Sequence, residues 1–362
     1  MDYQARREKL ARTLAKLDAD AVLVTHFPNV TYLTGFTGDD SFLLLHRDGE
    51  VMLSDGRYVT QLQEECPGLD LAIRRPGASM NQAIVRALRS AGVGRLAVEG
   101  DSMTVGQRDR IAEKMPNLRM GATTGLVEKF RQVKDKEEIA EIRRAIWYAE
   151  RAFGAIRATW RPQQTEKDLA DQLDHQFRLF GARGASFPPI VAAGARAALP
   201  HATPTPQTLD RSELVLVDWG AEGRLYKSDL TRMLLTGRIS AKLRRIYGVV
   251  LRAQTRAIAA IRPGVTAAEV DGVARRVITE AGFGRRFGHG LGHGLGLEVH
   301  EAPRLTAKNS TVLRPGMVIT VEPGIYLPGW GGVRLEDDVL VTRGGREVLS
   351  TAAKELEEVV VG

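Results

Sequence analysis

The sequence predicts an α+β protein of two domains: an N-terminal α/β domain over residues 1–125 and a larger domain over residues 126–362. Three observations predict it. The chain has 362 residues, and about 100–200 residues make a domain. Helix and strand patterns alternate through the first third, as in an α/β unit. After Ser186 the pattern changes to apolar, strand-like runs between glycine-rich turns, with acidic residues inside or beside the runs.

The elements follow in order. Leu10, Leu14 and Leu17 recur at spacings of four and three and mark one face of a first helix. Short strands are expected over 21–25, 41–45, 51–53, 69–73 and 95–98, separated by turns such as Arg47-Asp48-Gly49-Glu50. Helices are expected over 79–90 and 104–115. Residues 121–134 read as a linker. From Lys136 the positions Ile139, Ile142, Ile146, Ala149, Phe153 and Ile156 keep helical spacing. A second helix begins at Thr165, whose hydroxyl suits an N-cap, and Leu169, Leu173 and Phe177 line one of its faces. Helices over 241–261 and 266–281 interrupt the strand-rich part that follows.

Composition bounds the function. The chain is 43% hydrophobic and 26% charged, which suits a soluble globular protein and is too apolar for disorder. It carries 51 Lys and Arg against 44 Asp and Glu, a net charge of +7. The charges are scattered, without a run of five or six of one sign, so no nucleic-acid partner is expected. A single cysteine, Cys66, excludes an intrachain disulfide. The first residues are too charged for a signal peptide, and no stretch approaches the ~18 apolar residues of a membrane span. A cytoplasmic protein without membrane association is the expectation.

The chemistry is concentrated in two strand pairs. Leu-Val-Leu-Val-Asp218 is an apolar run that ends in a carboxylate, and Tyr226-Lys-Ser-Asp229 follows past a glycine-containing turn. An antiparallel hairpin would bring Asp218 and Asp229 together. The alternative is that Asp218 caps a strand end and Asp229 pairs with Arg232 at the surface. The second pair is Val318-Ile-Thr-Val-Glu322 and Arg334-Leu-Glu336, joined by a Gly/Pro loop over 325–332. Acids within apolar strands cost several kcal/mol unless paired or metal-bound. Here the alternative is an ion pair of Arg334 with Glu336 or Asp337.

Between the pairs lies Phe287-Gly-His289-Gly-Leu-Gly-His293, followed by His300-Glu301; three of the seven histidines fall within twelve residues. The segment lacks the Gly-Lys-Ser/Thr ending of a phosphate loop and the spacing of a dinucleotide fingerprint. Histidines beside four carboxylates point to metal. Asp218, Asp229, Glu322 and Glu336 bring four negative charges, which two divalent cations would cancel. Oxygen-rich ligands with one imidazole suit manganese, cobalt or zinc. Water bridging such a pair would become a nucleophile near neutral pH, which is hydrolytic chemistry.

These residues resemble those of the pita-bread metallopeptidases, aminopeptidase P and prolidase (Xaa-Pro dipeptidase) above all. The strings Val-Asp-Trp-Gly, Ser-Asp-Leu-Thr-Arg, Gly-His-Gly-Leu-Gly, Val-Glu-Pro-Gly-Ile-Tyr and Arg-Leu-Glu-Asp carry the likeness. Asn29-Val-Thr-Tyr-Leu-Thr-Gly-Phe36 and Leu53-Ser-Asp-Gly-Arg-Tyr58 look like a creatinase-type N-terminal domain. The resemblance implies a creatinase-like domain followed by a pita-bread catalytic domain. It implies that Asp229 and Glu336 bridge two divalent ions, manganese first with cobalt or zinc as alternatives. Asp218 would complete one ion, and His293 with Glu322 the other.

It also implies that His201 lines the substrate pocket and that His289 forms its proline side. His300 would hydrogen-bond the scissile peptide or its oxyanion, and Glu322 would move a proton. Arg334 would orient ligand carboxylates or hold a substrate carboxyl group. The implied enzyme is an Xaa-Pro dipeptidase or aminopeptidase that acts through a metal-bridging hydroxide on a peptide with proline second, and it is a homodimer. A methionine aminopeptidase-like exopeptidase is the alternative enzyme; His289 and Arg334 argue against it. A catalytically inactive pita-bread binding protein, or a metal-free hydrolase like creatinase, would be expected to lack ligands that this chain has. One departure concerns the stretch before Pro200-His201, where relatives commonly carry Asn-Ser and this chain has Arg196-Ala197.

Overall fold

The computed structural model describes residues 1–362 except 15, 211, 238 and 362. The chain divides into two compact units, Met1–Arg131 and Gln132–Gly362. Among the described residues no helix is long and apolar enough to cross a membrane.

The first unit is built on one mixed sheet of six strands: β1 (Ala21–Val24), β2 (Phe42–His46), β3 (Gly49–Ser54), β4 (Asp70–Ile73), β5 (Arg95–Glu99) and β6 (Arg119–Thr123), in the order β4-β3-β2-β1-β5-β6. β1 is central and buried throughout, which is why Ala-Val-Leu-Val reads as unbroken apolar sequence. Its helices are α1 (Tyr3–Leu14), α2 (Phe27–Thr34), α3 (Val59–Glu65), α4 (Met80–Ser90), α5 (Val105–Lys114) and α6 (Glu128–Arg131).

Three expectations are corrected here. The first helix stops at Leu14, so Leu17 lies beyond it in a turn. Residues 119–123 form the edge strand β6, parallel to β5, where a linker was expected to begin. That strand holds by its backbone ladder while its side chains stay exposed or half-buried, so it leaves no apolar signal. The unit also runs to Arg131 rather than 125. Asn29 Nδ2 donates to Glu128 at 2.5 Å and Asn29 Oδ1 accepts from Arg131 Nη1 at 2.8 Å, which ties α6 to α2.

The second unit opens with α7 (Lys136–Ala158) and α8 (Glu166–Leu179). Asp135 caps α7 by accepting from the Glu137 and Glu138 amides, and Thr165 caps α8 by accepting from Asp168. A short pair of β7 (Gly184–Ala185) and β10 (Ala221–Glu222) flanks a three-stranded sheet of β8 (Ile190–Ala193), β9 (Leu214–Trp219) and β11 (Leu230–Leu235), ordered β11-β9-β8. Then come α9 (Ala241–Ala260), α10 (Ala267–Glu280) and a five-stranded sheet of β12 (Gly292–Gly294), β13 (Glu301–Leu305), β14 (Val318–Val321), β17 (Asp337–Thr342) and β18 (Gly345–Val348). β15 (Gly324–Leu327) and β16 (Gly331–Arg334) form a hairpin.

Both faces of β9 are buried, and strand alternation sorts its side chains. Val215, Val217 and Trp219 pack with Ala149, Phe153, Leu173 and Phe177 of α7 and α8. Trp219 stacks on Phe153 with ring centroids 4.0 Å apart and donates to the Ala149 carbonyl at 2.9 Å. Leu214 and Leu216 face the other way, into a core shared with Ile246 and Val250 of α9 and Ile319 and Val321 of β14. By the same period of two, Asp218 shares the face of Leu214 and Leu216. Asp229 shares that of Thr231 and Met233, so both acids point toward one side of the sheet.

Candidate active site

β9 and β11 run antiparallel with Asp218 opposite Thr231, so the expected hairpin places Asp229 beside the end of β9. Glu322 follows the last residue of β14, with its amide on the Leu291 carbonyl at 2.8 Å. Glu336 lies between β16 and β17 and bridges to β11: its amide donates to the Thr231 carbonyl at 3.1 Å, and its Oε2 accepts from the Thr231 hydroxyl at 2.6 Å. His293 is the middle residue of β12. That strand fits because Gly292 has no side chain: a Cβ there would lie 2.0 Å from the Thr320 carbonyl oxygen of β14.

These elements bring Asp218, Asp229, His293, Glu322 and Glu336 to one cavity of about 700 Å³, whose lining also includes His201, His289, His300, Tyr326 and Arg334. Donor atoms of Asp218, Asp229 and Glu336 lie within 4.8 Å of one another, and so do those of His293, Glu322 and Glu336. A third such group is Asp229, His293 and His300.

Neither ion-pair alternative describes the site. Arg232 turns away from Asp229 to bond Asp337 at 2.7 Å. Arg334 reaches past Glu336 to Asp218, and it also donates to Thr231 Oγ1 and the Tyr326 hydroxyl, both at 3.0 Å.

The charges are badly balanced without a cation. Burial first, then the neighbouring carboxylates, push Asp229 and Glu322 well above the usual range. Burial and the charge of Asp218 push Glu336 up to about 8. Asp218 is raised by burial in spite of Arg334, and its Oδ1 is buried with no hydrogen-bond partner among the described residues. Burial, reinforced by His300, takes His293 down to about 3, so the ring is neutral. His293 Nδ1 lies 3.1 Å from the Gly294 carbonyl and so carries the proton. Its Nε2 lone pair then faces Glu322 Oε1 at 3.4 Å and Asp229 Oδ2 at 3.5 Å. Acceptors facing acceptors in a buried pocket, with one orphaned carboxylate oxygen, are a donor set that fits divalent cations.

The other histidines differ in setting. His289 Nε2 meets the Tyr326 hydroxyl at 2.8 Å and its Nδ1 the Gly290 carbonyl at 2.7 Å; burial and Arg334 lower it to about 4. His300 stands edge-on to His293 with ring centroids 4.4 Å apart. His201 lies exposed on the cavity wall.

Comparison with known proteins decides the family. Residues 140–343 match the model for metallopeptidase family M24, and residues 6–133 match the creatinase/prolidase N-terminal domain. The chain belongs to metallopeptidase family M24. It is 38% identical to the uncharacterized peptidase YqhT of Bacillus subtilis over 96% of this chain and 98% of that one. The structure of an Xaa-Pro dipeptidase from Bacillus anthracis superposes with a TM-score of 0.95 at 36% identity, covering 99% of this chain and 100% of that one. That of an X-Pro aminopeptidase from Thermotoga maritima gives 0.88 at 33% identity, covering 97% and 99%.

As an M24 metallopeptidase, the protein joins a creatinase-type domain to a pita-bread catalytic domain, and its family uses divalent metals. Three residues of this site escaped sequence reasoning. Thr231 bonds both Glu336 and Arg334, Tyr326 bonds both His289 and Arg334, and Asp338 accepts from the Asp229 amide at 3.3 Å. Thr231 was findable, two residues past Asp229 on the same strand face. Hydroxyls at such positions carry no charge pattern of their own.

Proposed function

We propose that this M24 peptidase hydrolyses the bond between an N-terminal residue and a following proline. The observation that carries the reading is the convergence of four carboxylates and a neutral imidazole on a cavity that also holds His289 and Arg334. The likeness to proteins described as an Xaa-Pro dipeptidase and an X-Pro aminopeptidase supports the substrate class.

Asp218, Asp229 and Glu336 would hold one divalent ion, and His293 and Glu322, with Asp229 and Glu336, a second. When bound, such ions supply Lewis acidity and lower the pKa of water towards neutrality. The chain's own groups do the rest. His201 and His289 line the pocket for the substrate, and the rigidly bonded Arg334 fixes Asp218. His300 donates a hydrogen bond to the carbonyl oxygen as it gains charge. The attacking water's oxygen bonds the carbonyl carbon and its proton passes to the Glu322 carboxylate. The proline nitrogen, a tertiary amide without N–H, must gain a proton as the C–N bond breaks, and Glu322 hands that same proton to it.

The test is an assay after chelation and manganese reconstitution, with Ala-Pro, Ala-Pro-Ala and Met-Ala-Ser. Cleavage of a proline peptide with Met-Ala-Ser left intact is the expected result, and the first two substrates together read the length preference. Failure on both proline peptides, or preference for Met-Ala-Ser, would overturn the reading.

A further inference from the structure

Five consecutive residues, Pro200, His201, Ala202, Thr203 and Pro204, form part of the wall of the active-site cavity. They belong to a segment without regular strand or α-helix, between β8 and β9. Such a segment keeps a fixed wall only if something outside it holds it.

What holds it is Glu166, the first residue of α8, which is fully buried. Its Oε1 accepts from the Ala193 amide at 2.8 Å, and its Oε2 from the Thr205 amide and hydroxyl at 2.9 and 2.7 Å. The two ends of the segment are thereby fastened to one carboxylate. Arg196 completes the fastening. Its Nε reaches both Glu166 oxygens, at 3.0 and 2.9 Å, while its Nη2 crosses to the Thr203 carbonyl at 2.6 Å. One guanidinium therefore neutralises the buried acid and spans the segment.

The middle of the segment is fixed from the other side. Arg334 Nη1 donates to the Pro200 carbonyl at 3.3 Å. The Ala197 carbonyl oxygen packs so closely on β16 that a Cβ on Gly332 would lie 2.1 Å from it. The wall is thus clamped between α8 and the strand that carries Arg334.

We propose that Arg196 and Glu166 are positioning residues for substrate recognition: they hold the 194–205 segment so that His201 meets the substrate. The proposal rests on the Xaa-Pro reading for its substrate but not for its geometry. It also gives Arg196 a role. The Arg196–Glu166 pair touches none of the proposed metal ligands and acts through His201, so its loss should raise KM and spare kcat.

The experiment measures KM and kcat for Ala-Pro and Ala-Pro-Ala with manganese-loaded wild type, Arg196→Ala, Arg196→Lys, His201→Ala and the Arg196→Ala/His201→Ala double variant. Amide hydrogen exchange over 194–205 is followed in parallel. Arg196→Ala should raise KM about tenfold with kcat changed less than about threefold, and exchange across the segment should accelerate. Arg196→Lys, which keeps the charge without the fork, should fall between. In the His201→Ala background Arg196→Ala should add less than about twofold to KM, because the lost contact is already gone. Multiplying effects, an unchanged KM, or unchanged exchange would each overturn the proposal. A wild type silent on every proline peptide would sink the substrate reading instead. Exchange alone would then decide the clamp, with acceleration in Arg196→Ala supporting it and no change overturning it.

Discussion

Glu322 is proposed for two roles, metal ligand and proton carrier, that one substitution can separate from folding. Its Oε1 lies 3.4 Å from His293 Nε2, and at 17% side-chain exposure it is the most accessible of the four carboxylates. Glu322→Gln keeps the shape and removes the proton-carrying group. The expected result is a kcat lower by about 10²–10⁴, read in a manganese-loaded assay with metal content measured on the same sample. Full turnover with both metals retained would show that another group moves the proton. The five proposed ligands were legible because a charged group inside an apolar strand, or a histidine among glycines, stands out in one dimension. Tyr326 was not, since its importance lies in the partners that the fold brings to it, and Thr231 is marked only by its place two residues past Asp229.

Between elements, one buried tie outside the cavity lining is the ion pair of Lys134 and Glu301. Lys134 Nζ lies 3.0 Å from Glu301 Oε2, with the two side chains 1% and 5% exposed. It fastens the segment before α7 to the first residue of β13, next to His300. Breaking a buried pair by removing one partner leaves a buried charge, which costs about 3–5 kcal/mol. Lys134→Met should lose stability on that scale in a urea titration, and a change below about 1 kcal/mol would show the pair to be dispensable. The long amphipathic helices and the cap at Thr165 could be read from spacing and from residue type. β6 and α6 could not, because their side chains are exposed or engaged in polar contacts and make no periodic stripe. The Glu166–Arg196 clamp joins residues thirty positions apart, and no local pattern announces it.

For the molecule as a whole, the site sets a pH dependence that metal should reverse. In the metal-free protein Glu336 is pushed up to about 8, and Asp229 and Glu322 also lie well above the usual range, through burial and then mutual repulsion. In the unfolded chain these groups titrate near about 4. Between those values the folded state binds more protons than the unfolded one. The stability these groups contribute is therefore complete below about pH 4 and is lost as pH rises towards 8. Divalent ions remove the repulsion, so the gap in Tm between manganese-loaded and chelated protein should widen from pH 5 to pH 8. A gap that stays constant would mean that the carboxylates are not coupled as described.

That coupling is the root of the account: acids from β9, from just before β11, from just after β14 and from the β16–β17 junction, with a neutral imidazole from β12, are the proposed holders of two cations. Anomalous diffraction from manganese-soaked crystals tests it most directly. Two peaks per chain are expected in the cavity, between Asp218, Asp229, His293, Glu322 and Glu336. A single peak there, none, or peaks only elsewhere would contradict it.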